Sequence, residues 1–375
     1  ALQTLSYGGH GVHVDLTAIY TRAMRVRRVP HPQLTIIDPR DIILHNVIGV
    51  GSFGRVWSGT WKSSPMAVKE FVFAQVVAIP AQDETARLKH RQSVIEEIVG
   101  EAGIMNILHH ENILNLYGCS LTAQAIWVVT ELCTKGSLRQ FLTDREQRMS
   151  CDLKIRIAID VAEGMCYLHT RDPPVVHRDL KSLNLFVTQP DPSDPGKVCV
   201  KIGDWGSARA VALQNHNTPM KTMTHGMGTA CWLAPEVIKD GKGSERIDVY
   251  SFGIILWELF TREEVYSSLS AAQVIARVAN EGLRPPVPRG CPWAELMEHC
   301  WHEDPAVRPP FDEVVHTLIS IRGRMLLANT PSSSQSPDTA ATAAISQMQS
   351  THREGAVPPP YRALSATETA SLLPH

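Results

Sequence analysis

A chain of 375 residues, 43% hydrophobic and 20% charged, can bury a substantial core and has the make-up of a globular protein, which excludes a fibre or a wholly disordered chain. Its formal charge is -2 with no long run of one sign, so a nucleic-acid or acidic-polymer partner has no electrostatic footprint. The nearest basic cluster, Arg22, Arg25, Arg27 and Arg28, reads as a solvated flank or as a segment beside a membrane.

Eight cysteines occur without regular spacing, several inside apolar runs such as Cys166 and Cys199, the pattern of reduced intracellular thiols used as small core residues. A cytoplasmic location follows, or the cytoplasmic part of a larger membrane protein. No stretch reaches the roughly 18–20 apolar residues that span a bilayer. The best run, Val249 to Phe260, is broken by Ser251 and Glu258 and predicts a buried helix. Because the sequence begins with Ala1, the absence of a membrane segment or leader is an expectation for this piece alone.

Residues 1–40 mix Gly, His and Arg with Pro30 and Pro32 and predict a flank or packing strap. From Asp41 short β-rich runs follow, at 42–44, 47–50, 55–59 and 66–71, separated by Gly, Ser and Pro turn signals: an antiparallel meander. Val94, Ile98, Ile104, Met105 and Leu108 recur at helical spacing and predict one helix over 93–108. Strands at 114–117 and 126–130 come next, and Lys135-Gly136-Ser137-Leu138 breaks the β pattern. Helical signals then dominate, at 153–169, 248–260, 271–279, 293–301 and 311–322. Beyond Arg324 the composition turns to Ser, Thr, Ala, Pro and Gln, which predicts disorder because too little apolar surface is available to offset the ordering entropy.

Four motifs lie along this framework: Gly49-Val50-Gly51-Ser52-Phe53-Gly54, Ala67-Val68-Lys69, His177-Arg178-Asp179-Leu180-Lys181-Ser182-Leu183-Asn184, and Asp204-Trp205-Gly206. Each string alone also fits an ordinary hairpin or a dinucleotide-binding turn, and order and spacing carry the reading. Phosphoryl transfer asks for positioning and charge neutralisation around phosphate oxygens. Gly49, Gly51 and Gly54 let a hairpin bring backbone N–H groups over phosphates where side chains would obstruct. Lys69 follows an apolar pair on a strand, and its ammonium needs an acidic partner. Glu96, Glu97 and Glu101 are the candidates; Glu101 is preferred, with Met105 one turn on, and Glu97 is the runner-up one turn earlier on the same face. Asp179 offers a carboxylate to accept a hydroxyl proton, Asn184 an amide to hold a metal, and Lys181 a charge for the transferred phosphoryl group. Asp204 adds a carboxylate for Mg2+, a hard ion that takes few carboxylates together with phosphate oxygens.

In this combination residues 41 to about 322 resemble a eukaryotic protein kinase domain. The resemblance implies an α+β, two-lobed protein kinase fold: a small antiparallel-sheet N-lobe with one helix (about 41–130), a hinge (131–136) and a larger helical C-lobe (137–322), between the 1–40 flank and a disordered 323–375 tail. It implies ATP and Mg2+ as cofactors, with Asp179 as catalytic base, Asn184 and Asp204 as magnesium ligands, and Lys69 on the α/β-phosphates while paired to Glu101. Ser52 joins the glycines in the phosphate loop, Thr130 guards the back of the adenine pocket, and Glu131, Leu132 and Cys133 form the hinge. Val56, Ala67 and Phe186 sandwich the ring. Ala234-Pro235-Glu236 closes the activation segment, with Arg308 as the partner of Glu236, and Asp248 stands in the large-lobe helix.

Lys181 and Thr229 match serine/threonine kinases, and the strings Gly228-Thr229-Ala230-Cys231-Trp232 and Cys300-Trp301 resemble the tyrosine-kinase-like group of Raf and mixed-lineage relatives. Protein substrates phosphorylated on Ser/Thr follow, with dual specificity open and a signalling role implied. The competing classes are a pseudokinase and a scaffold acting as a binding module. Trp205 stands where the family usually has Phe, in a stack expected from Leu116, Met105, Trp205 and His177, and the stretches before Glu101 and at 190–196 are longer than the norm. Arg178 beside Asp179 resembles kinases switched by activation-segment phosphorylation, which makes Thr218, Thr222 and Thr224 regulatory candidates. Pro358-Pro359-Pro360-Tyr361 matches the pattern read by WW domains, equally a product of chance proline clustering.

Overall fold

The structure, a computed structural model, describes residues 3–7, 10–14, 18–21, 33–51, 54–72, 95–96, 98–122, 124–189, 194, 197–204, 209–210 and 229–328. Trp205, Ser52, the three candidate threonines and the Pro358–Tyr361 motif lie outside them. The chain parts into residues 1–318 and residues 319–375.

The presumed flank contains a hairpin, β1 (Gln3–Tyr7) and β2 (His10–Val14), paired antiparallel with Gln3 opposite Val14. Gly8-Gly9 stands between them in sequence, a two-residue turn signature. The five strands that follow are β3 (Ile42–Gly51), β4 (Gly54–Trp61), β5 (Ser64–Val72), β6 (Leu116–Leu121) and β7 (Ala125–Glu131), in the antiparallel order β3-β4-β5-β7-β6. Strand alternation divides β5 between two faces. Met66 and Val68 join Ile37, Ile42 and Val129 in one buried cluster, edged by Leu44, Trp57, Trp61, Tyr117 and Trp127. Glu70 shares that face and accepts the indole N–H of both Trp57 (3.0 Å) and Trp127 (3.2 Å). Lys69 alternates to the opposite face with Ala67 and Phe71. The N-lobe helix α1 covers 98–105, with Val99 and Ala102 fully buried.

The strand expected at 114–117 begins instead at Leu116. Ile113 forms a parallel bridge with Ile202, and Leu114 donates its N–H to Ile202 O at 2.9 Å, so these two residues pair with the C-lobe.

The C-lobe carries α2 (Leu138–Thr143), α3 (Cys151–His169), α4 (Pro235–Asp240), α5 (Arg246–Thr261), α6 (Ala271–Asn280), α7 (Ala294–Cys300) and α8 (Phe311–Ala328). Short strands β8 (Val175–Val176), β9 (Leu185–Thr188), β10 (Cys199–Ile202) and β11 (Arg209–Ala210) pair as β9 with β10 and β8 with β11. Helix α5 is buried without interruption from Ile247 to Leu259, as expected of a helix apolar on every side. Helix α2, unanticipated, starts from a reciprocal cap between Ser137 and Gln140. The tail expected from 323 is corrected at its start: α8 continues to Ala328, because Met325, Leu326, Leu327 and Ala328 are strong helix formers.

Candidate active site

The glycine hairpin joins β3 to β4, with Gly49 opposite Val56 and Gly51 opposite Gly54. Its glycines are present for different reasons. Gly54 adopts φ +152°, and a Cβ there would run into the carbonyl oxygen of Glu70 on β5, so the fold itself demands glycine. A Cβ at Gly49 would meet only Val56, at 3.6 Å, an ordinary contact. Among the described residues nothing forbids a side chain at 49.

Lys69 lies opposite Val56 on one neighbouring strand and Val128 on the other. Its Nζ is 2.9 Å from Asp204 Oδ1 and 3.8 Å from Glu101 Oε1. Burial opposes the lysine's charge, but Glu101 and Asp204 outweigh it and hold the ammonium above its ordinary pKa. The same exchange runs in reverse at Asp204: burial pushes the carboxyl up, and Lys69 brings it below the usual carboxylate range. Two motif residues, Lys69 from a strand and Asp204 from a loop, thus meet Glu101 of the helix in one charged cluster.

The catalytic-loop string runs from the end of β8 to β9 and closes on itself. Lys181 Nζ lies 2.9 Å from Asp179 Oδ1, 2.7 Å from Oδ2, and 2.9 Å from Thr229 Oγ1. Asn184 Nδ2 donates to Asp179 O (2.8 Å) and Oδ2 (2.9 Å), which leaves Asn184 Oδ1 as the amide atom able to face a cation. Asn184 O accepts from Gly203 N at 2.9 Å, so the loop is tied to the residue before Asp204. His177 Nε2 is 3.0 Å from Gly203 O while its Nδ1 accepts from Asp179 N, which assigns the ring hydrogen to Nε2.

Arg178 (φ +67°) and Asp204 (φ +59°) both sit in the left-handed region, at roughly 1–2 kcal/mol each for a residue bearing a Cβ. Asp248, fully buried on α5, offsets the cost at Arg178: its carboxylate accepts from His177 N (2.8 Å), Arg178 N (2.9 Å) and His169 Nε2 (2.9 Å). Burial opposes that charge, and the bond from His169 with the neighbouring donors overcomes it, keeping Asp248 below the usual range.

Glu236 and Arg308 meet as a bidentate pair at 2.7 and 2.8 Å. The remaining guanidinium N–H groups reach the carbonyls of His302, Arg246 and Glu303, so all five donors are used. Glu258 is a support that sequence reading missed. Fully buried in α5, it accepts from Ser182 Oγ (2.8 Å) in the catalytic loop and Trp232 Nε1 (3.0 Å) near Ala234-Pro235-Glu236. Its signal was present as the acid interrupting the Val249 to Phe260 run, since a carboxylate survives in such a helix only with partners.

At the hinge, Thr130 is buried, and Glu131 donates its N–H to Asn115 O at 3.0 Å. The Glu131 side chain accepts from Asn115 N (2.7 Å) and pairs with Lys201 (3.2 Å), so its carboxylate turns toward β10. Lys135 N and Gly136 O bond to Val187, and Ser137 bridges to Phe186, which holds β9 against the hinge. Burial, with Glu131 beside it, pushes the Cys133 thiol up to about 12, which disfavours the thiolate. Of the expected stack, Leu116, Met105 and His177 are buried and Trp205 lies outside the described residues.

The family model described as protein tyrosine and serine/threonine kinase matches residues 42–318. "Probable serine/threonine-protein kinase drkA" of Dictyostelium discoideum is 36% identical over 293 residues, 76% of this chain and 41% of that protein. "Serine/threonine-protein kinase STY17" of Arabidopsis thaliana is 33% identical over 284 residues, 75% of this chain and 45% of that protein. The chain therefore spans less than half the length of these curated relatives.

Proposed function

The chain belongs to the protein tyrosine and serine/threonine kinase family, and from that premise we propose that it transfers the γ-phosphate of Mg-ATP to Ser/Thr hydroxyls of protein substrates in signalling. The observation that carries this reading is the convergence of Lys69, Glu101 and Asp204 beside the self-closed loop of Asp179, Lys181 and Asn184. The residues suit Mg-ATP. Asn184 Oδ1 and the second oxygen of Asp204 are hard donors for Mg2+, and the side-chain space left at Gly49 suits a phosphate. Held by Asn184 and Asp204, Mg2+ would supply positive charge against that developing on the transferred phosphoryl group.

The chain's own groups do the rest. Lys69 reaches the α/β-phosphates from β5, and Glu101 and Asp204 keep it charged. Asp179 orients the incoming hydroxyl and accepts its proton, while Lys181, already on Thr229, stabilises the moving phosphoryl group. Because Glu131 spends its N–H on Asn115, the purine edge falls to its carbonyl and to the backbone of Cys133. Val56, Ala67 and Phe186 close on the two ring faces. The Lys181–Thr229 bond favours serine/threonine substrates.

All eight cysteines are described and free, which supports a reducing, cytoplasmic setting. Among the described residues no helix is long and apolar enough to cross a membrane.

Phosphate transfer to a generic Ser/Thr protein substrate is the test, comparing the parent with Lys69→Met and Asp179→Asn. The parent transfers phosphate and both variants lose the activity; a folded parent that binds Mg-ATP yet transfers none is a pseudokinase.

A further inference from the structure

The chain ahead of residue 41 touches the N-lobe at two described places. At the first, Ile37 N donates to Cys119 O (2.8 Å) and Cys119 N donates to Thr35 O (2.9 Å), adding a parallel bridge at Ile36 to the edge strand β6. The strand is shaped to receive it. Gly118 adopts φ +155°, the β6–β7 register shifts there, and a Cβ at 118 would run into the carbonyl oxygen of Thr35. Leu34 and Ile37 are buried by this docking, at 3% and 2% exposure.

At the second place Tyr20, in the helical residues 18–21, is 2% exposed and accepts a hydrogen bond from Asn106 Nδ2 at 3.2 Å. Asn106 N donates to Ala102 O at 2.9 Å, so the residue that Tyr20 holds belongs to the last turn of α1. Ala102 is the neighbour of Glu101. The Lys69–Glu101 separation of 3.8 Å is too long for a direct hydrogen bond, so a displacement of α1 of about 1 Å decides whether the pair acts.

We propose that Tyr20 is a positioning residue for phosphoryl transfer: packed against the end of α1 and bonded to Asn106, it keeps Glu101 within reach of Lys69. The segment before the catalytic domain is then part of the machinery. Removing the phenol side chain frees the last turn of α1 and loosens the lysine's grip on ATP, with no change at any residue that meets the nucleotide. This inference rests on the kinase reading of the site.

The test uses the full chain in a double-mutant cycle of Tyr20→Ala with Glu101→Gln, read by Mg-ATP affinity and by hydrogen exchange of the amides at 98–106. Tyr20→Ala weakens Mg-ATP binding about tenfold, and Tyr20→Phe, which loses only the hydrogen bond, about threefold. In the Glu101→Gln background Tyr20→Ala costs less than about twofold, because the group it positions is gone. Exchange at 98–106 quickens in both Tyr20 variants. Equal losses in the two backgrounds, or a lower melting temperature with unchanged Mg-ATP affinity, overturn the proposal. Should Tyr20→Ala fail to fold, Tyr20→Phe and Asn106→Ala read the same cycle. A parent that binds Mg-ATP without transferring phosphate removes the kinase reading and leaves this cycle decisive for Tyr20.

Discussion

Lys181 holds both carboxylate oxygens of Asp179, at 2.9 and 2.7 Å, so the group proposed to receive the hydroxyl proton is fixed by a cation two residues along the same loop. Neither residue touches the hinge or the glycine hairpin in doing so. Asp179→Asn therefore lowers kcat by about a thousandfold while leaving the KM for ATP within about twofold, because only the proton transfer is lost. Initial rates at varied ATP check it; a matching rise in KM contradicts it.

The glycines of the hairpin separate stability from ligand binding. Gly54→Ala meets the Glu70 carbonyl and an unfavourable φ, and lowers unfolding free energy by about 2 kcal/mol or more. Gly49→Ala has room in the free protein and leaves stability within about 0.5 kcal/mol, yet weakens Mg-ATP binding. Urea unfolding and ATP titration on the two variants check the contrast.

Arg308→Lys is not a conservative change. A lysine has three donors on a point charge, and five acceptors converge on this guanidinium, so the pair of buried Arg308 with partly buried Glu236 is left half-satisfied. The variant loses about 3 kcal/mol of stability, within the range for breaking a buried pair, as read by the urea midpoint.

Asp160 gives a pH signature. Burial pushes its carboxyl from an ordinary 3.8 up to about 7; the bond from Val200 N opposes this, and Glu163 and Glu111 reinforce it. Between those values the folded chain keeps a proton that the unfolded chain has released. Its stabilising contribution is full below about pH 3.8 and is lost as pH rises through about 7. Asp160→Asn, which still offers Val200 an acceptor, gains on the parent from pH 4 to 7 by at most about 1.4 kcal/mol per unit, and the gain is level above that. Unfolding curves at four pH values check it.

Much of the fold was legible because its signals are local. Alternation and turn residues marked β3 to β5, and apolar spacing marked α3, α5 and α6. The four motifs named the residues that gather at the site. What escaped depends on distant partners: β6 starts two residues late because Leu114 is taken by Ile202, and Glu258 reads as an interruption until Ser182 and Trp232 are seen to face it. Lys201 likewise looks like a solvated strand residue, and only the folded chain sets it on Glu131, seventy positions away. Two misses were local after all: the cap between Ser137 and Gln140, and Gly8-Gly9.

Asp248 fixes when the catalytic loop acquires its shape. Its three hydrogen bonds come from within the C-lobe, and none involves a group that a nucleotide or substrate would touch. The unfavourable backbone at Arg178 is therefore overcome once, as the chain folds, and not again in each reaction cycle. On the proposed kinase reading the loop is already set when reactants arrive, and the proposed bracing of α1 by the segment ahead of it is a separate point of control in the N-lobe.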